Sequence, residues 1–131
     1  MNALTFAMTT LVVPDYDEAI AFYTGSLGFT LHEDSDLGDG KRWVVVGPQN
    51  GAKLLLAQAR GERQEQAIGN QTGGRVGFFL HTKDFAATYD AFRANGVAFT
   101  EEPRTEPYGR VVVFADPYGN LWDLIEEAGQ A

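Results

Sequence analysis

The chain repeats itself, and that repeat limits its possible folds more than any single motif. Residues 21–30 lie over residues 90–100, and both copies close on a shared Phe-Thr, Phe29-Thr30 and Phe99-Thr100. A repeat of this kind marks one supersecondary unit used twice. Ahead of the first copy, residues 5–13 are rich in Thr, Val, Leu and Phe with no helical period, which predicts a strand ended by Pro14. Asp15 is then a good N-cap, and Glu18 three residues on completes a capping box. Tyr16, Ile20, Tyr23 and Leu27 recur at helical spacing and form a buried stripe, so the helix runs to about Ser26 and stops at Gly28.

The remaining segments fit the same order. Residues 29–34 and 41–46 predict a hairpin around Leu37-Gly38-Asp39-Gly40, and residues 53–59 a further strand. Residues 61–74 are polar and Gly-rich and read as a linker. After it comes a strand over 75–82, then a helix capped by Asp84, with Phe85, Tyr89 and Phe92 inward and Asn95-Gly96 as its stop. A strand over 97–101, a loop over 103–109 and a strand over 110–115 follow. The turn Asp116-Pro117-Tyr118-Gly119-Asn120 leads into the last strand, since Pro presets one turn dihedral and Gly accepts the positive φ. The expectation is an α+β fold in one domain, 1–131. It holds two β-α-β-β-β modules, about 1–60 and about 75–131, whose curved sheets enclose a cavity suited to a ligand.

Composition removes several function classes. A net charge of −8 and the lack of any Lys/Arg run oppose phosphate neutralisation, so nucleic acid is not an expected partner. No stretch approaches the length of a membrane span and no secretory leader pattern is visible, which predicts no membrane partner and a cytoplasmic location. The absence of cysteine excludes disulfides, thiolate metal sites and Cys nucleophiles.

The motifs Val12-Val13-Pro14-Asp15, Ala21-Phe22-Tyr23 and Leu27-Gly28-Phe29, with Phe114-x-Asp116-Pro117-x-Gly119-Asn120 and Asp123-Leu124-Ile125, occur at characteristic spacing. In these the chain resembles the vicinal oxygen chelate superfamily, which takes in glyoxalase I, bleomycin resistance proteins and extradiol dioxygenases. The resemblance implies a homodimer and, in metal-dependent members, four inward ligands to a divalent cation. Those positions fall here at Met8, Leu56, Gly77 and Asp123. Leu56 and Gly77 offer no donor and a Met thioether suits soft ions, so neither a metal nor any other cofactor is expected. His32 and His81 read as surface or structural histidines.

Without a metal, Phe6, Met8, Thr10, Leu54, Leu56, Gly77, Phe79, Leu121 and Asp123 describe an apolar pocket with one acid. Trp43, Tyr108, Arg110 and Tyr118 would line its mouth. Asp123 has three open roles: a salt bridge to Arg110 or Arg42, a contact to a ligand's cation, or a general base with a raised pKa. The expected function is metal-independent binding of an aromatic or amphipathic small molecule, as the resemblance to bleomycin resistance proteins implies. The alternative is a glyoxalase-like lyase or isomerase in which Asp123 is catalytic.

Overall fold

A computed structural model describes residues 2–129, and the chain divides into two compact units, Met1–Ile68 and Gly69–Ala131. The first unit holds β1 (Met8–Val13), α1 (Tyr16–Ile20), β2 (Thr30–Gly38), β3 (Lys41–Gly47), β4 (Lys53–Gln58) and α2 (Glu62–Ala67). Its sheet runs in the order β1-β4-β3-β2, with β1 and β4 parallel and the other pairs antiparallel. Asp15 caps α1 as the sequence predicts, its carboxylate accepting the Glu18 N–H at 2.8 Å. The helix then widens into a π-helical segment, Ala21–Ser26. There the Thr24 hydroxyl bonds the Ile20 carbonyl, and the Leu27 N–H reaches back five residues to the Phe22 carbonyl.

The second unit repeats the plan with β5 (Val76–His81), α3 (Phe85–Ala94), β6 (Ala98–Phe99), β7 (Arg104–Glu106), β8 (Gly109–Ala115) and β9 (Leu121–Glu127). Its sheet order is β5-β9-β8-β6, β7 also pairs with β8, and β5 and β9 are parallel. The α+β class and the twofold β-α-β-β-β arrangement therefore stand. Asp84 caps α3 by accepting the Ala87 N–H at 3.1 Å. Inside this unit Phe78 stacks on Trp122, Trp122 on Phe114, and Phe92 meets Phe114 edge-on.

Two segments differ from the sequence reading. The 61–74 stretch contains α2, a short helix that packs near β1 and is polar because none of its residues is buried. The 103–109 stretch contains β7, so the counterpart of β2 is a strand broken into β6 and β7. The break holds Pro103, which has no N–H to give a ladder. Glu101 fills in: its carboxylate accepts the Val113 N–H at 3.0 Å, a bond a backbone carbonyl would otherwise make. Among the described residues no helix is long and apolar enough to cross a membrane.

The β8–β9 turn is held from inside by Asp116. Its carboxylate accepts the N–H groups of Tyr118 and Asn120 and the Asn120 side-chain amide, at 3.0, 2.9 and 2.8 Å, and Asp116 and Asn120 are buried. Gly69 backs onto this turn with φ 71°, and a Cβ there would overlap the Tyr118 carbonyl. Replacing Asp116 with Ala leaves three donors without their acceptor. It is expected to lower the unfolding free energy by about 2–4 kcal/mol in urea titrations, with no change in the slope of the transition.

Candidate functional site

Each sheet has one face packed by its helix, and strand alternation assigns every side chain to that face or the other. In the first unit Leu11, Leu56, Val44, Leu54 and Val46 are buried on the helix side and stand in register across β1, β4 and β3. Leu56 and Leu54 therefore do not share a face with Met8 and Thr10. The residues that do are Leu55, the partner of Thr10, and Ala57, the partner of Val12. Trp43 and Val45 continue this second face on β3, and Trp43 is 37% exposed.

In the second unit Phe79 and Asp123 are direct partners in the β5–β9 ladder, and Val113 is the partner of Asp123 on β8. All three lie on the face away from α3. Phe79 is 62% exposed there and Tyr108 is exposed in the β7–β8 turn. Arg104 stands on the same face through its pairing with Val111. It is tied by hydrogen bonds to Glu101, to Glu106 and to the Tyr108 hydroxyl. Neither Arg104 nor Glu101 stands out in the sequence: Arg104 falls between two prolines in a stretch read as loop, which has no defined side-chain direction, and Glu101 falls at the end of the strand predicted over 97–101. Arg110 is on the opposite face, its guanidinium 4.6 Å above the centre of the Phe85 ring of α3.

These positions correct the salt-bridge reading of Asp123. Arg110 is turned away with the helix, and Arg42 is held by Asp34 at 2.7 Å and Asp17 at 3.0 Å while lying over the Tyr16 ring. The Arg42 guanidinium in turn keeps the Asp34 carboxyl below its ordinary range. Asp123 Oδ1 is buried and has no hydrogen-bond partner among the described residues. Burial pushes the Asp123 carboxyl upward, the Arg104 charge pulls it back, and the Glu101 charge adds to the rise.

The four positions implied for a metal do not form a donor set. Met8 offers a thioether and Leu56 a hydrocarbon buried on the other face of its sheet. Gly77 offers nothing, and the Thr72 methyl fills the space where a side chain would begin. Asp123 alone brings oxygen. Of the histidines, His81 Nδ1 sits 2.7 Å from Glu127 and His32 Nε2 sits 3.0 Å from the Pro48 carbonyl. Among the described residues no group of three or more His, Asp or Glu side chains could hold a metal ion. The residues present do not fit the divalent centre of the metal-dependent relatives.

A cleft of about 400 Å³ lies within the first unit. The β3–β4 ladder ends at Val44 and Leu56, and beyond it Lys41, Arg42 and Trp43 carry no ladder pair to β4. Trp43, Leu55 and Ala57 give the cleft apolar walls, and Lys41, Arg60 and Gln64 border it. Tyr16 reaches in from α1. It is 5% exposed, and its hydroxyl accepts the Arg42 N–H at 3.2 Å.

Because the native state raises the Asp123 pKa, it holds that proton more tightly than the unfolded chain does. Between the ordinary value of 3.8 and the raised native value, this residue's contribution to stability falls as pH rises, and above that window the full penalty stands. Asp123→Asn should therefore unfold at higher urea than the parent at neutral pH. The difference should shrink as both are taken down toward pH 4, because protonation removes the charge from the parent too.

With this geometry in view, the chain was compared with known proteins. The model of the glyoxalase/bleomycin resistance protein/dioxygenase superfamily matches residues 5–124. An uncharacterised protein of Shewanella frigidimarina is 51% identical over 119 residues, 88% of each chain. The crystal structure of UcmS2 is similar with a TM-score of 0.83 and 32% identity, covering 97% of this chain and 100% of that one. That of TnmS3, an antibiotic binding protein from Streptomyces sp. CB03234, is similar with a TM-score of 0.76 and 28% identity, covering 98% and 100%. The match runs from the first strand to the last and takes in both β-α-β-β-β units, so the chain belongs to the glyoxalase/bleomycin resistance protein/dioxygenase superfamily.

Proposed function

We propose that this protein binds a small aromatic or amphipathic molecule without a metal, and that binding rather than turnover is its function. The observation that carries the reading is the cleft in the first unit. Its volume of about 400 Å³ lies in the range of small-molecule sites, and its walls are apolar with a few polar groups at the border. Support also comes from aromatic side chains left open on helix-free faces, Trp43 in the first sheet and Phe79 in the second. Exposed aromatics are costly to leave in water, and they present large rigid surfaces for a ring to stack on. The role of the similar protein TnmS3, antibiotic binding, points the same way. The homodimer implied by the family resemblance is part of this proposal, and sedimentation at micromolar concentration checks it.

A second reading has its own observation. Asp123 combines a buried, unpartnered oxygen with a raised pKa, the environment in which a carboxylate serves as a base near neutral pH. In that case the protein is a lyase or isomerase in which Asp123 takes a proton from the substrate.

Thermal denaturation against a panel of aromatic and amphipathic compounds separates the two. A true ligand at 100 times its dissociation constant stabilises the fold by about 2.7 kcal/mol. Its binding should change the emission of Trp43, the exposed tryptophan, and that change should vanish in Trp43→Phe. If no compound shifts the melting point, the binding reading fails. If a bound compound is converted, and Asp123→Asn stops conversion while leaving affinity intact, the enzyme reading replaces it.

A further inference from the structure

The cleft beside Trp43 has a charge character unlike the rest of the chain. Eighteen acidic residues face ten basic ones overall, giving −8. The cleft lining reverses this: it contains Lys41, Arg42 and Arg60 and not one carboxylate. Arg42 is already matched by Asp34 and Asp17. Lys41 and Arg60 form no ion pair among the described residues. Arg60 is steered toward the cleft border by other bonds, its N–H donating to Gln64 Oε1 at 2.9 Å and its Nη2 to the Asp39 backbone carbonyl at 3.1 Å. Its remaining guanidinium donors are left for another acceptor.

A second observation lies deeper. The Tyr16 side chain is 95% buried and stands where β3 and β4 part, with its oxygen accepting the Arg42 N–H. Among the described residues its own O–H proton is given to no acceptor, so the cleft floor carries a buried donor that faces the unpaired stretch of strand. The site thus combines an indole wall, apolar walls from Leu55 and Ala57, a hydroxyl donor within and two cations at the border. The charged and hydroxyl groups of the lining are donors suited to an acceptor or an anion, and its two side-chain carbonyls belong to Gln64, already used by Arg60, and Gln58.

We propose that this cleft takes a flat, apolar or aromatic compound bearing an anionic group, a carboxylate, phenolate or sulfonate. Its ring lies along Trp43 and its charge between Lys41 and Arg60. The proposal rests on the small-molecule binding reading and adds the charge class of the ligand. A cationic ligand would meet the like charges of Lys41 and Arg60 and no carboxylate in the lining. The net charge of −8 repels an acid from the chain as a whole, and Lys41 and Arg60 supply local attraction at this opening.

The test is calorimetric titration of the full chain with 2-naphthoate and its neutral isostere 2-naphthamide at low salt. The expected result is about tenfold tighter binding of the acid, the size of one charge-assisted contact, with the advantage shrinking as salt is raised. In the double variant Lys41→Gln and Arg60→Gln the two compounds should bind alike, with the affinity for the amide within about twofold of the parent. Both residues are exposed, and an unchanged melting temperature of the variant shows that its fold is intact. Equal affinities in the parent, or a preference for the acid that survives in the double variant, would overturn the charge assignment while leaving small-molecule binding in place. Binding of neither compound up to millimolar concentration also overturns it, and the compound panel above then decides the broader reading on its own.

Discussion

Side chains alternate along a strand, and in each unit a single helix seals one face of the sheet. The consequences of that pairing reach every residue considered for function. A shift of one position moves a side chain from a dry core to the opposite face, and nothing in between is available. Leu56 is fully buried against the helix side, while Leu55, its neighbour, lies on the opposite face as the partner of Thr10 and Val45. Arg110 lies over Phe85 of α3, whereas Val111 pairs with Arg104 on the other face. The same rule places Phe79 next to Asp123.

Where a ladder is interrupted, the structure builds its polar features. In the second unit the interruption between β6 and β7 is repaired by Glu101, which takes over a backbone N–H and at the same time holds Arg104. That fastens a cation on the face where Asp123 lies, along with the two carboxylates of Glu101 and Glu106 that already balance it. Asp123 is the surplus acid. Its Oδ1 has no partner and its proton is held more tightly than usual, because burial disfavours the charged form and Arg104 offsets this only in part while Glu101 adds to it.

In the first unit the interruption lies between β3 and β4, and it is left open. Tyr16 satisfies one stranded N–H, and the remaining space becomes a cleft with apolar walls and a basic border. The two interruptions differ in place: in the second unit the break falls in the counterpart of β2 and is closed with an acid, whereas in the first it falls between β3 and β4 and stays open. Met8, Leu56 and Gly77 bring no oxygen or nitrogen side-chain donor, which agrees with the proposal of binding through surfaces and not through coordination.

Much of the fold was legible in the residues because it is set by local rules. The repeat, the Asp15 and Asp84 caps, the glycine at position 28 with φ 75°, and the Asp116 turn all involve neighbours within a few positions, and each is found where the chain predicts it. The family resemblance rests on those same short patterns. The helix within 61–74 and the strand within 103–109 escaped because both are polar and short: the helix packs near the distant β1, and the strand, flanked by two prolines, pairs with the start of β8. The candidate site was only partly legible for a related reason. Asp123 and Phe79 could be placed on one face by counting, but which of Leu55 and Leu56 turns inward, which arginine approaches Asp123, and where two strands part to leave a cleft are matters of register between strands. The sequence by itself determined the elements, the turns and the twofold plan. Tertiary structure alone decided the faces and the opening, because register is a property of pairs of strands and no single strand carries it.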